Sequence, residues 1–225
     1  MTTTRAPETQ ERKEPLTRER ILHRALAMID RDGVEGLSMR RLAAELDAAP
    51  MSLYNHVPNK EALLEGLTEV LLSQIDVSAL DLDDWVEAMR TGMRSFRDVL
   101  LAHPNAVPLI ETKTVITPAA VRPLEASLTV LSRAGFPPQA ALSAHWTFVG
   151  FTFGHVTSQI VNPMCRSGGP ETDEALSQAG LTADEFPNFL ASLPYAASYD
   201  AEEAFDFGLD AILQGLKAKL EASDL

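Results

Sequence analysis

The sequence predicts an all-α protein, on three observations. Apolar residues recur at helical spacing along most of the chain. Alternating β-branched runs and Asn-Gly hairpin signals are nearly absent. The periodic stretches break at proline and glycine, the residues that stop helices. With 225 residues, 45% of them hydrophobic, the chain can bury a substantial core in one or two domains. The expected division is a disordered tail over residues 1–15, a short-helix domain over 16–60 and a longer helical body over 61–225.

The tail is charged and punctuated by Pro7 and Pro15. Thr17 caps a first helix whose apolar face is Ile21, Leu22, Ala25, Leu26 and Ile29, and Gly33 is placed to end it. Ser38 caps a second helix that turns Met39, Leu42, Ala43 and Leu46 inward. After a break at 47–49, Pro50 suits the first turn of a third helix. That helix reaches about His56 at most, because Pro58 disfavours helical geometry at Val57. Asn59 caps a fourth helix over 59–75, with Leu63, Leu64, Leu67, Leu71 and Ile75 on one side. Further helices are expected over 85–101, 124–133, 140–160 and 201–220. A proline-broken stretch over 104–123 and a loop with short helices over 162–200 separate them. No internal repeat is visible.

The net charge of −13 is unevenly spread. Residues 1–60 hold ten Lys/Arg against nine Asp/Glu, and the remainder holds nine against twenty-three. DNA affinity rests on a local cationic face rather than on total charge, so an acidic total does not exclude it. Ordinary acidic solubility accounts for the same numbers. No apolar run of about 18 residues exists, so no membrane span is expected. The N-terminus has no apolar core of a secretory signal. A single cysteine, Cys165, fits a reducing cytoplasm. Metal-ligand, nucleophile-elbow and phosphate-loop spacings are missing, so neither catalysis nor a metal or cofactor is expected.

One stretch, "AAPMSLYNHVPNKEALL" at residues 48–64, crowds hydrogen-bonding groups into a short polar helix. Two short helices joined by a three-residue break make a helix-turn-helix, whose second helix enters the major groove. Ser52, Tyr54, Asn55 and His56 exchange hydrogen bonds without permanent charge, which suits phosphates and bases. Lys60 can pair with a phosphate, and Arg40 can reach a guanine edge or a phosphate. The alternative is a helical protein-interaction module without DNA binding.

The segment "LTRERILHRALAMIDRDGVEGLSMRRLAAELDAAPMSLYNHVPNKEALLEGL" resembles the N-terminal domain of the TetR family of bacterial transcription regulators, and "LYNHVPNKEALL" carries the likeness most specifically. "DDWVEAMRTGMRSFRDVLLAH" and "FVGFTFGHVTSQ" are similar to the tetracycline-repressor type of ligand-binding domain. The resemblance implies that Arg40, Pro50, Met51 and Ser52 face bases. It implies that Ser38, Tyr54, His56 and Lys60 contact phosphates. Pro50 and Asn55 stand where the tetracycline-responsive type has glutamine and tryptophan, which implies a different operator. Asp47 replaces the usual glycine of the turn, and aspartate tolerates left-handed geometry better than most residues.

The body offers two apolar seams. One is Phe205, Leu209, Ile212, Leu216 and Leu220; the other is Leu142, Trp146, Val149, Phe153, Val156 and Ile160. The family suggests that they pair across a homodimer as a four-helix bundle. Both could instead face the intramolecular core. A homodimer places two recognition helices about 34 Å apart on a palindromic double-stranded operator. A second face of the same helix carries His145, Phe148, Thr152, His155 and Gln159. It reads as one wall of a pocket for a small-molecule effector, with Met89, Met93, Phe96, Leu100, Ile110, Ile116 and Met164 as adaptable apolar walls. Plain core is the competing account for each of these side chains. Asp76, Ile110 and Gly92 align where the tetracycline-responsive type has its pocket histidines and asparagine. The expected effector is therefore a larger apolar compound that needs no metal, and not tetracycline.

Overall fold

The computed structural model describes residues 15–78, 83–112, 116–161, 181–196 and 198–222. Expectations for the tail over 1–14, for Met164 and for Cys165 lie outside the described residues. Among the described residues every regular element is helical. The chain forms two compact units, one ending at Leu67 and the other beginning at Thr68.

The first unit holds α1 (Arg18–Asp32), a 3-10 turn (Val34–Gly36), α2 (Met39–Glu45), α3 (Pro50–Tyr54) and the start of α4 (Lys60–Ser73). Thr17 Oγ1 accepts the Arg20 N–H at 3.1 Å and starts α1. Gly33, at φ +74°, ends it, and its N–H donates to the Ile29 carbonyl. Ile21, Leu22, Ala25, Leu26, Met28 and Ile29 are buried, with Leu37, Leu42, Ala43 and Leu46. Met39 is half-buried. Asn59 Oδ1 accepts the Ala62 N–H at 2.8 Å in the first turn of α4. Gly66 packs closely against α1; a Cβ there would lie 2.7 Å from Leu22 Cδ2.

The second unit holds the end of α4, α5 (Trp85–Ala102), a 3-10 turn (Pro104–Ala106), α6 (Val107–Thr112), α7 (Pro118–Arg133), α8 (Pro138–Val161), α9 (Pro187–Ala196) and α10 (Ala201–Glu221). The sequence reading started the α7 helix at residue 124; it starts six residues earlier. Thr117 Oγ1 accepts the Ala120 N–H, and Pro118 occupies the first turn, where no N–H is needed. Pro123 then lies inside the helix. It costs one backbone hydrogen bond, offset by burial of Val130 and Leu131.

Met89, Leu131, Phe148, Phe205, Leu209 and Leu213 build the main core of this unit. Arg94 on α5 bonds Asp206 on α10 at 2.6 and 3.0 Å, and Arg90 bonds Asp210 one turn along. The dimer seam expected on α10 faces inward. Phe205 and Leu209 are buried, and Ile212, Leu216 and Leu220 pack on the same intramolecular core. On α8, Val156 is buried, and Val149, Phe153 and Ile160 pack against Phe96 and Leu100. The α10 spacing and the C-terminal part of the α8 seam serve the monomer core, whereas Leu142 and Trp146 of that seam do not. Phe207 is 79% exposed and Trp146 57%, and Leu142 is also exposed.

Candidate functional site

The polar stretch at residues 48–64 becomes a short projecting helix. α3 spans five residues, about 7 Å at 1.5 Å per residue, and so ends two residues short of the His56 limit. Backbone N–H groups of His56 and Val57 both donate to the Leu53 carbonyl and close the turn. Leu53 is wholly buried and pins the helix. Around it Pro50, Met51, Tyr54, Asn55, His56 and Lys60 are exposed, Met51 by 73%, and Ser52 is half-buried. Asp47 adopts φ +48°, the left-handed geometry that the turn between α2 and α3 requires.

Two neighbouring arginines differ sharply. Arg41 bonds Asp32 at 2.6 Å and donates to the Gly36 carbonyl. Arg31 bonds the same Asp32 and Glu45, so that α1 and α2 are braced together. The two guanidiniums hold the Asp32 carboxyl at about 2. Arg40, by contrast, is exposed, and no ion pair holds it or Lys60 among the described residues. Ser38 Oγ accepts the Arg41 N–H at 3.3 Å, capping α2 with a lone pair. Its O–H stays available as a donor. The segment therefore exposes donors and two cations on a rigid frame.

The second unit contains a cavity of about 420 Å³. Thr68 and Leu72 of α4, Gly92, Met93 and Phe96 of α5, and Ile110 of α6 line it, with Ile75, Val77 and Ile116. Ala120, Val121, Pro123, Leu124 and Ser127 of α7 and His145, Trp146, Val149 and Phe153 of α8 complete the wall. No Asp, Glu, Lys or Arg is among these residues. His145 Nδ1 lies 2.9 Å from Ser127 Oγ. Burial pushes the His145 imidazole down to about 4, so it is neutral at pH 7.

Of the residues expected in the pocket, Met93, Phe96, Ile110, Ile116 and His145 line it. Met89, Leu100 and Phe148 do not; they are sealed in the packed core. Thr152 is also buried and donates to the Met93 sulfur at 3.7 Å. His155 Nε2 bonds the Ala201 carbonyl at 2.9 Å, and its ring lies edge-on to Phe205. Gln159 lies outside the cavity wall, its Oε1 buried without a partner. The error is one of rotation. The wall on α8 is 145, 146, 149 and 153; of the expected face through 145, 148, 152, 155 and 159, only His145 lies on it. One residue is about 100° of helix, and α8 is apolar on almost every side, so its periodicity does not say which face meets the core. Ala120, Val121 and Pro123 of the wall were missed because residues 118–123 were read as non-helical. The signal for Ser127 was a small polar residue on an otherwise apolar helical face.

A braced helix-turn-helix in one unit and an apolar cavity in the other define a ligand-responsive transcription regulator. The comparisons with known proteins agree. Residues 21–67 match the family model described as bacterial regulatory proteins, tetR family, and residues 78–220 match the tetracyclin repressor-like C-terminal domain. An HTH-type transcriptional regulator of Saccharopolyspora erythraea is 30% identical over 94% of this chain and 89% of its own. The class C tetracycline repressor protein of Escherichia coli is 32% identical over 93% of this chain and 95% of its own. The crystal structure of apo ActR from Streptomyces coelicolor superposes with a TM-score of 0.80 at 28% identity, covering 93% of this chain and 99% of ActR. ActR has also been solved in complex with actinorhodin.

The chain belongs to the TetR family. It is a ligand-responsive transcriptional regulator that binds operator DNA as a homodimer. Its relatives are transcriptional regulators. No described helix is long and apolar enough to cross a membrane.

Proposed function

We propose that this protein represses transcription from a palindromic operator in the cytoplasm and is released by a small apolar effector, without catalysis. The exposed row on α3, pinned by the buried Leu53, is the observation that carries the reading. Arg40, Pro50, Met51, Ser52 and Asn55 meet base edges; Ser38, Tyr54, His56 and Lys60 meet phosphates. Leu142 and Phe207 contribute to the dimer surface, because exposed side chains of that size favour burial against a second copy.

The effector occupies the α4–α8 cavity, whose size suits a small organic ligand. ActR bound to actinorhodin supports a ligand-binding role for this kind of domain. Gly92 and Ile110 supply no polar side-chain atom to the wall. Asp76 lies outside it, where its carboxylate accepts the Ser78 N–H. That set suits an apolar guest rather than a metal–tetracycline chelate. The guest touches Thr68 and Leu72 on α4, the helix whose first turn carries Lys60. α4 therefore transmits occupancy. Reversing a 99:1 preference for the DNA-competent state needs about 5.5 kcal/mol of differential binding.

Footprinting on the chain's own promoter tests the DNA reading. The wild type is expected to protect two half-sites one helical turn apart. Tyr54→Ala with Lys60→Ala is expected to abolish protection while circular dichroism and Tm stay unchanged. Protection that survives this double substitution refutes the assigned interface.

A further inference from the structure

Resting on the reading of the cavity as the effector site, we infer that the effector is an uncharged aromatic compound carrying a hydroxyl group, which docks on the Ser127–His145 pair. Three observations lead there. First, among the described residues the wall holds no acidic or basic side chain, apart from an imidazole that its burial keeps neutral. Among these described residues a carboxylate guest would find no cation and an ammonium guest no carboxylate. An unpaired charge taken out of water is strongly disfavoured. Second, Phe96, Trp146 and Phe153 present three aromatic side chains to one space, which favours a guest with a π-face. Phe96 and Phe153 meet edge-on with centroids 5.3 Å apart, and Trp146 stands edge-on to His145 at 5.1 Å.

Third, the hydrogen-bonding capacity of the pair is only partly used. A neutral imidazole has one donor and one acceptor; a serine hydroxyl has one donor and two acceptor lone pairs. Their bond at 2.9 Å consumes one donor and one acceptor. Whichever tautomer forms, the pair retains one donor and at least one acceptor. A guest hydroxyl both gives and takes a hydrogen bond, so it matches that remainder. Both residues line the cavity, so the match is made at its wall. The pair selects the effector by polarity, and the aromatic side chains select it by shape.

The test uses the full-length protein and four probes on one scaffold, titrated by calorimetry at pH 7. The probes are naphthalene, 1-naphthol, 1-naphthoate and 1-naphthylmethylammonium. 1-Naphthol is expected to bind about tenfold more tightly than naphthalene, and more tightly still than either ion. Ser127→Ala and His145→Phe are each expected to erase the advantage of naphthol and to leave naphthalene within about threefold. The inference is overturned if either ion matches naphthol, if naphthol is no better than naphthalene, or if no probe binds. The wild-type series decides even if a variant fails to fold. An operator gel shift run beside it separates the two levels. Intact operator binding with any overturning result removes this inference alone, whereas lost operator binding removes the regulator reading.

Discussion

The two units solve opposite problems with the same kind of helix. The first keeps its working side chains outside, on a five-residue helix that buries one leucine. The second encloses its working surface, lining a cavity with side chains from five helices. The first recognises a polyanion, so its affinity is electrostatic and falls with salt. The second has no acidic or basic side chain among the described residues of its wall, so on the proposed reading its affinity rests mainly on apolar contact. The lesson concerns rigidity. A short helix needs anchoring from outside: the buried Leu53 holds α3, while the Arg41–Asp32 and Arg31–Glu45 ion pairs brace α2 against α1. A cavity needs walls whose packing elsewhere is complete, which Phe148, Leu131 and Phe205 supply.

Breaking the anchor of the exposed site has the largest expected effect. Leu53→Ala removes the one buried side chain of α3 and is expected to cost about 2–5 kcal/mol, read by denaturant unfolding. Operator binding should vanish while probes of the cavity still bind. Loss of both together would mean that the units do not fold independently.

The adjacent arginines sharpen the contrast between contact and brace. Arg40→Ala is expected to weaken operator binding about tenfold and to leave Tm unchanged. Arg41→Ala is expected to lower Tm, because it releases Asp32 and the Gly36 carbonyl. The opposite pattern would exchange their roles.

On the enclosed side, Gly208 allows α10 to approach α8. A Cβ there would lie 2.5 Å from the Phe151 ring. Overpacking of about 1–3 kcal/mol outweighs a gain of about 1 kcal/mol in helix propensity. Gly208→Ala should therefore lower thermal stability by a few degrees, with operator affinity per folded molecule unchanged.

The smallest effect is acid sensitivity. The folded His145 titrates at about 4, below its ordinary 6.5, because burial disfavours the cation. Protonation therefore favours the unfolded chain. The contribution of His145 is complete above pH 6.5 and is lost progressively as pH falls toward 4. Tm measured across that range should fall less steeply in His145→Phe than in the wild type.

The all-α class was legible from the chain, and so were the helix starts within residues 16–75. Thr17, Ser38, Pro50, Pro58 and Asn59 act over one helical turn, so capping and proline chemistry place them without knowledge of neighbours. The cavity was half legible. Met93, Phe96, Ile110 and His145 were found, but Phe148 and Thr152 were expected on a wall that Val149 and Phe153 occupy. The apolar spacing of α10 was equally consistent with a dimer seam and with the core it joins.

By itself, then, this sequence determined where the helices of residues 16–75 start and which side chains the short third helix carries, because those are properties of a few neighbouring residues. Only the tertiary structure decided which face of α8 borders the cavity, that Ser127 meets His145, and that the α10 seam turns inward. A helix apolar on nearly every side has no local preference for one face. The volumes and positions of the helices packed around it make that choice.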